Sequence, residues 1–251
     1  SKSLSKIYYA TKTNRNTNVY NNCNETRLVI YGTNLGFTLG YPKYRKYLRS
    51  IDVIPSYLMP MLIGILLSDG TLSIEKRHKV GNARFRFKQS IIHFSYFLSV
   101  YLKLGHFCSR GFRPKIDIVQ GKSYLQTEFV TRALPCFTYL RHLFYPNGIK
   151  IVPTFIYDYL TWETLAHWIA CDGTYRSGVV LQTESFSIED KVLLINMLIL
   201  KFGFECSIHK QGKKHVIYIT AKSIKKNLHH ILPHLHESMH YKVLGPKAKL
   251  L

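Results

Sequence analysis

Two carboxylates are singled out by their settings. Asp69 follows the run Leu62-Ile63-Gly64-Ile65-Leu66-Leu67-Ser68, and Asp172 follows Leu165-Ala166-His167-Trp168-Ile169-Ala170-Cys171; a glycine comes after each, Gly70 and Gly173. The apolar residues of each run predict a buried helix. The glycine predicts its stop, through the left-handed conformation that glycine adopts at no steric cost. Each carboxylate then sits at a helix C-terminus, among free carbonyl oxygens and partial negative charge, where it is repelled unless a cation is present. Brought together, the two ends form an oxygen-rich cage for a divalent metal, built from Asp69 and Asp172 with Ser68 and Cys171 beside them. The reaction such a cage serves is attack of metal-activated water on a phosphodiester, with the cation also neutralising charge on the phosphate.

The rest of the chain supplies a polyanion-binding surface for that chemistry. It has 251 residues, enough for one large domain or two small ones, and 35 Lys and Arg stand against 14 Asp and Glu, a formal net charge of +21. Such a charge calls for a polyanionic partner, with nucleic acid as the first candidate. An anionic membrane surface competes, but no stretch reaches the roughly 18 consecutive apolar residues of a span, so a soluble protein is expected. Cys23, Cys108, Cys136, Cys171 and Cys206 are odd in number, scattered, and never spaced Cys-x-x-Cys. That pattern argues against a disulfide framework and against zinc, and suits a reducing compartment. His229, His230, His234, His236 and His240 crowd the end of the chain, but Pro233 interrupts their helical spacing; solvated or phosphate-facing roles fit them better than a metal cluster.

The elements that must position the two carboxylates recur in one order. Residues 1–48 lack helical or strand periodicity and are rich in Asn and Thr, an irregular extension that carries the basic-aromatic patch Tyr41-Pro42-Lys43-Tyr44-Arg45-Lys46-Tyr47. The absence of a signal peptide and of an initial Met reads as a processed or trimmed product. From Pro60 the first apolar run is helical. Ala83 to Gln89 alternates strictly, with Arg84, Arg86 and Lys88 on one face and Ala83, Phe85 and Phe87 on the other. A helix to Leu104, a hairpin (Lys115 to Gln120, Tyr124 to Val130) turning at Gly121-Lys122, and a helix from Pro135 complete a half. After the break at Pro146-Asn147-Gly148 and Pro153 the order repeats: the second run, a strand from Val179 to Glu184, a helix from Ile188 to Phe202, a hairpin from Glu205 to Thr220 turning at Gly212-Lys213, and a helix from Ser223. The halves are 49–150 and 151–251. Small residues, Gly64 and Ser68 in one run and Ala166 and Ala170 in the other, allow the two helices to pack closely. That packing sets Asp69 and Asp172 at the bottom of a saddle of two cationic sheets wide enough for a duplex.

On these residues the chain resembles the LAGLIDADG family of intron-encoded homing endonucleases in its single-chain, two-motif form. The two runs fall on the nine motif positions. Arg86-Phe87-Lys88-Gln89-Ser90, Leu134-Pro135-Cys136-Phe137 and Leu165-Ala166-His167-Trp168-Ile169 are similar to the branch found in group I introns of fungal and algal mitochondria, with the likeness covering about Tyr31 to Leu244. The resemblance implies an α+β fold of two αββαββα halves related by a pseudo-twofold. Its two antiparallel saddle-shaped sheets pack on helices, with the motif helices at the interface. It implies a monomer in a mitochondrion, a long asymmetric DNA target cut on both strands, and Mg²⁺ as cofactor, with Mn²⁺ substituting and Ca²⁺ binding without supporting cleavage. It also assigns Gln89 to the first site, Gln182 or Glu184 to the second, and nearby lysines, Lys122 and Lys213 or Lys214. DNA contacts fall to Arg84, Arg86, Lys88 and Lys115 in one half, and to Gln182, Glu184, His209 and Lys213 in the other.

Two features depart from symmetry. The third motif position is Gly64 in one run and His167 in the other, so the crossing must be uneven and a buried His167 needs a hydrogen-bond partner. Strand parity puts Gln89 on the packed face with Phe87, so either the strand ends before it or the assignment fails. A second activity stays open, since the family also contains RNA-binding maturases that would need the basic surface but not the metal. A non-catalytic DNA-binding regulator explains the two carboxylates less well.

Overall fold

Helix α1 (Met59–Leu66) carries Pro60 in its first turn, where a missing N–H costs no helical hydrogen bond, and it buries every residue from Met61 to Leu66. The computed structural model describes residues 51–74, 81–212, 214–246 and 248. The Asn/Thr-rich extension, the basic-aromatic patch, Cys23 and Lys213 lie outside the described residues.

After α1 come β1 (Thr71–Ser73) and β2 (Arg84–Ser90), a 3-10 turn at Ile91–His93, and α2 (Phe94–Leu104). The hairpin β3 (Arg113–Val119) and β4 (Lys122–Val130) turns through Gln120 and Gly121 at φ 50° and 75°, the two positive values a type I′ turn requires. Helix α3 (Pro135–Phe144) closes the half, and a short α4 (Ile156–Tyr159) lies in the connection. The order then recurs as α5 (Trp162–Asp172), β5 (Gly173–Arg176), β6 (Gly178–Leu181), α6 (Ile188–Phe202), β7 (Cys206–Gln211), β8 (Lys214–Ile219) and α7 (Ala221–Ile231), followed by a one-turn α8 (Tyr241–Leu244). Both sheets are antiparallel with matching orders, β1-β2-β4-β3 and β5-β6-β8-β7. This is the expected α+β repeat of two αββαββα halves.

Several boundaries move for local reasons. β6 stops at Leu181, short of Glu184. α7 starts at Ala221, ahead of Ser223, because the Thr220 hydroxyl accepts the Ser223 N–H at 3.3 Å and caps the helix there. Gly70 and Gly173 end the motif helices for a reason other than handedness. Neither is among the residues with positive φ, and Gly173 is extended at φ −72°. A Cβ on Gly70 would instead lie 2.7 Å from the Ile65 carbonyl oxygen, and one on Gly173 would lie 2.5 Å from that of Ile169. Each glycine lets the chain fold back against its own helix.

The interior of the first half is aromatic. Phe85, Phe87, Phe97 and Phe129 are buried, with Phe87, Phe97 and Phe129 in mutual contact at centroid distances of 5.6 to 5.9 Å. Each such pair adds about 0.5–1.5 kcal/mol beyond burial. Between the halves, α1 and α5 cross at Gly64. A Cβ at that position would stand 2.3 Å from the Thr164 carbonyl oxygen and 2.9 Å from the His167 Cβ. The missing side chain of one helix thus makes room for the backbone and the histidine of the other. The Tyr96 hydroxyl pairs with His167 Nδ1 at 2.9 Å, the partner a buried histidine needs. Burial holds His167 down to about 3, so it is neutral at physiological pH.

The obstacle at Gly64 is backbone, which cannot rotate away. Gly64→Ala is therefore expected to destabilise the fold by about 3 kcal/mol, the upper end of overpacking costs, as read by urea denaturation.

Candidate active site

The crossing brings both motif helices to one point at their C-terminal ends. Asp172 is the last residue of α5 and Asp69 lies in the turn after α1. Burial of Asp172 in the concave floor, with the Asp69 charge beside it, raises its pKa from 3.8 to about 7. Asp69 is also raised by desolvation, opposed first by a hydrogen bond from Gln89. Two carboxylates whose ionisation is hindered, both by burial and one also by its neighbour's charge, are a donor set with an unmet demand for positive charge.

Two lysines that sequence reasoning missed meet part of that demand. Lys150 donates to the carbonyl oxygens of Ser68 (3.0 Å) and Gly70 (3.2 Å). Lys242, buried, donates to those of Ala170 (2.7 Å) and Cys171 (3.0 Å). Each ammonium therefore caps one motif helix, at the end where a cation is favoured. Desolvation lowers both, Lys150 to about 8, while Asp172 and Asp69 pull the other way. The signal available in the sequence was slight: a lysine flanked by apolar residues towards the end of each half, Ile149-Lys150-Ile151 and Tyr241-Lys242-Val243. Lys122 and Lys214 sit elsewhere. Lys122 opens β4 at the exposed hairpin tip, about 17 Å along the strand from Thr127, the residue paired with Gln89 beside Asp69. Lys214 donates to Glu184 at 3.1 Å.

The remaining candidates divide between the floor and the concave face. The Ser68 hydroxyl is turned back into α1, donating to the Gly64 and Ile65 carbonyls at 3.0 and 3.1 Å, so Ser68 presents only its carbonyl oxygen to the site. Cys171 likewise offers its carbonyl, while its thiol, pushed up to about 12 by burial, lies 3.5 Å from the Tyr96 hydroxyl. Gln89 resolves the parity question. It is buried on the packed face with Phe85 and Phe87, within β2, and its amide donates to Asp69, because that face runs out of core and onto the end of α1. Register shows that its counterpart in the second half is not Gln182. Phe87 pairs with Phe129 as Leu181 pairs with Ile217, which aligns Gln89 with Thr183 and Lys88 with Gln182. Thr183 is buried, and its hydroxyl has no hydrogen-bond partner among the described residues. Gln182 lies on the concave face against Thr174 at 3.4 Å.

On the concave face of the first sheet, Lys88 and Lys115 flank Asp117, and Arg113 grips the buried Glu128 at 2.7 Å. Lys88 holds Asp117 below the usual carboxylate range. Arg84 and Arg86 share this face. The second sheet shows a more polar face, where His209 on β7 stacks on Tyr218 at 4.7 Å and bonds to Ser207, while Arg176 stands on β5 at the opposite edge.

Residues 59–226 match the LAGLIDADG DNA endonuclease family. The chain belongs to that family. An intron-encoded endonuclease of Dictyostelium discoideum, ai4, is 34% identical over 126 residues, 49% of this chain and 79% of the relative. The cytochrome b mRNA maturase bI2 of Debaryomyces hansenii is 28% identical over 194 residues, 74% of this chain and 73% of the relative. The solved structure of the homing endonuclease I-WcaI bound to its DNA recognition sequence shares the fold at 24% identity, with a TM-score of 0.74, covering 86% of this chain and 98% of that one.

The carboxylate pair has a signature that needs no substrate. Asp172 binds its proton near pH 7 in the folded protein and near 3.8 in the unfolded chain, so its contribution to stability is present below 3.8 and is lost as pH rises through about 7. In EDTA, Asp172→Asn is expected to melt progressively higher than wild type as pH goes from 4 to 8. Differential melting curves check this, and a gap that does not grow across that range contradicts the raised pKa.

Proposed function

We propose that this protein is a site-specific double-stranded DNA endonuclease that hydrolyses one phosphodiester on each strand of a long asymmetric target with Mg²⁺. The observation that carries the reading is the convergence of Asp69 and Asp172 at two crossed helix ends, each end capped by its own lysine. The donor set suits a hard cation. It offers two carboxylates whose ionisation is hindered, and helix-end carbonyl oxygens beside them. Among the described residues no three His, Cys, Asp or Glu side chains gather at one point, so two carboxylates leave open positions for phosphate oxygens and water. Asp69 and Asp172 would hold the ion, which supplies Lewis acidity at the scissile phosphate. Mn²⁺ is expected to substitute for Mg²⁺, and Ca²⁺ to bind without cleavage.

The chain's own groups do the rest. Gln89 orients the Asp69 carboxylate, and Lys150 and Lys242 offset the negative charge of the helix ends so that two carboxylates and a phosphate can share one floor. Arg84, Arg86 and Lys88 on one sheet, and Arg176, His209 and Lys214 on the other, line the faces along which a duplex would lie. Their side chains reach phosphates and base edges in the major groove. The names of the relatives support an intron-encoded origin, and with it a mitochondrial location, the protein acting as a pseudo-twofold monomer. Among the described residues no helix is long and apolar enough to cross a membrane. A second reading, an RNA-binding maturase for a group I intron, is favoured by the extent of the match to the Debaryomyces hansenii maturase.

Plasmid carrying the joined exons of the host gene should be cut by wild type with Mg²⁺ and left intact by Asp69→Asn and Asp172→Asn. Lys150→Met and Lys242→Met should each slow cutting by about a hundredfold, the scale on which a single electrostatic contact acts. Undiminished cutting by both aspartate variants would sink the assigned site. Failure of wild type to cut moves the reading to the maturase.

A further inference from the structure

The outer strand of the first sheet presents an open edge. In the order β1-β2-β4-β3, β3 comes last, and among the described residues no strand pairs with its far side. Pro114 has no N–H to give β4. In the β3–β4 register the even-numbered residues therefore turn their backbone groups outward, so the N–H groups of Ile116 and Ile118 and the carbonyl of Pro114 lie on the open edge. The side chains beside that edge are aliphatic. Ile116 is 65% exposed, Ile118 74%, and Leu125, the β4 partner of Ile116, 47%. All three stand on the packed side of the sheet, where Phe129 and Thr127 are still buried but the hairpin has outrun the core.

The fold does not require this extension. Matching Phe129 to Ile217 aligns Ile116 with Gly212, where the second hairpin has already turned. The outer part of β3 is thus extra length that carries apolar surface to an unpaired edge, an arrangement proteins usually avoid because it invites strand pairing.

We infer that β3 is the docking edge for a second copy of the chain, the two strands pairing antiparallel about a twofold axis at Ile116. The register follows from charge. With Ile116 opposite its own copy, Lys115 of each chain faces Asp117 of the other, all on the concave side. An axis one residue to either side sets Lys115 against Lys115 or Asp117 against Asp117. An axis at Pro114 lacks the central donors, and one at Ile118 runs the pairing into the turn at Gly121. At Ile116 the two copies exchange hydrogen bonds, each Ile118 N–H reaches the opposite Pro114 carbonyl, and the exposed aliphatic clusters meet on the packed side. The first sheets of both chains become one continuous sheet. An anionic lipid surface fits this patch less well, since no residue of β3 or β4 on the packed side is basic. Each chain keeps both of its carboxylates, so the pairing does not rest on the nuclease reading.

Sedimentation velocity of the full chain without DNA reads the pairing, at about 0.5 M salt, where a screening length of about 4 Å mutes the repulsion between two bodies of net charge +21. Wild type is expected to dimerise as its concentration rises. Ile116→Lys, at an exposed position, should weaken the dimer at least about tenfold by setting like charges on the axis, with melting temperature and duplex binding unchanged. Lys115→Asp and Asp117→Lys should each weaken self-association, because like charges then stand face to face. Their equimolar mixture should restore it to within about threefold of wild type, since each chain meets its complement. A monomeric wild type, a dimer indifferent to Ile116→Lys, or a mixture that associates no better than its components would each overturn the pairing. So would a monomeric wild type that floats with anionic vesicles, which would assign the patch to lipid.

Discussion

The contact between Gly64 and the backbone of Thr164 is the constraint on which the rest of the structure depends. Two helices approach this closely only where a side chain is missing, and from that contact they run on to bring their C-terminal ends side by side. That meeting makes a poor electrostatic environment: two helix termini of the same polarity, two carboxylates, and little solvent. The protein tolerates it through cations, Lys150 on one terminus and Lys242 on the other. The sheets hang from this crossing, so the concave faces and the carboxylates keep a fixed relation to each other.

The halves share an architecture and differ in nearly every detail that touches the floor. Glycine in one helix is answered by histidine in the other, and that histidine is satisfied by Tyr96 from the first half. Gln89 reaches Asp69, whereas Thr183 at the aligned position makes no such bond and its buried hydroxyl has no partner among the described residues. One concave face carries arginines and lysines interleaved with acids that hold them in place. The other offers an imidazole, hydroxyls and amides. A duplex laid along two such surfaces would meet no twofold symmetry in their side chains.

Much of this was legible because it rests on local patterns. The two apolar runs, the Asp-Gly endings, the alternation across Arg84 to Lys88 and the paired hairpins are written in residues a few positions apart, and the resemblance to a known family supplied the arrangement of the halves. What escaped was long-range. Lys150 and Lys242 lie far along the chain from the carbonyls they bind, in stretches with no periodicity. The glycines after the aspartates were legible as stops but not as places of close approach, since a tight fold-back and a left-handed turn leave the same residue in the sequence. The parity of Gln89 was read correctly, but the inference that a packed-face residue cannot reach the site was wrong. The packed face extends past the core to the helix end, which only the register reveals.

Each motif helix takes its capping lysine from the tail of its own half: Lys150 from the segment that follows α3, Lys242 from the one-turn helix that follows α7. A half thus brings carboxylate, sheet and helix-capping cation in one continuous stretch, while each ammonium also acts across the interface, Lys150 on Asp172 and Lys242 on Asp69. Such a unit could once have paired with a copy of itself, and it is a natural seam for recombination. A chimera joined beyond residue 150 would inherit each helix end already capped, leaving the fit at the glycine crossing and the pull of each lysine on the opposite carboxylate to be re-established.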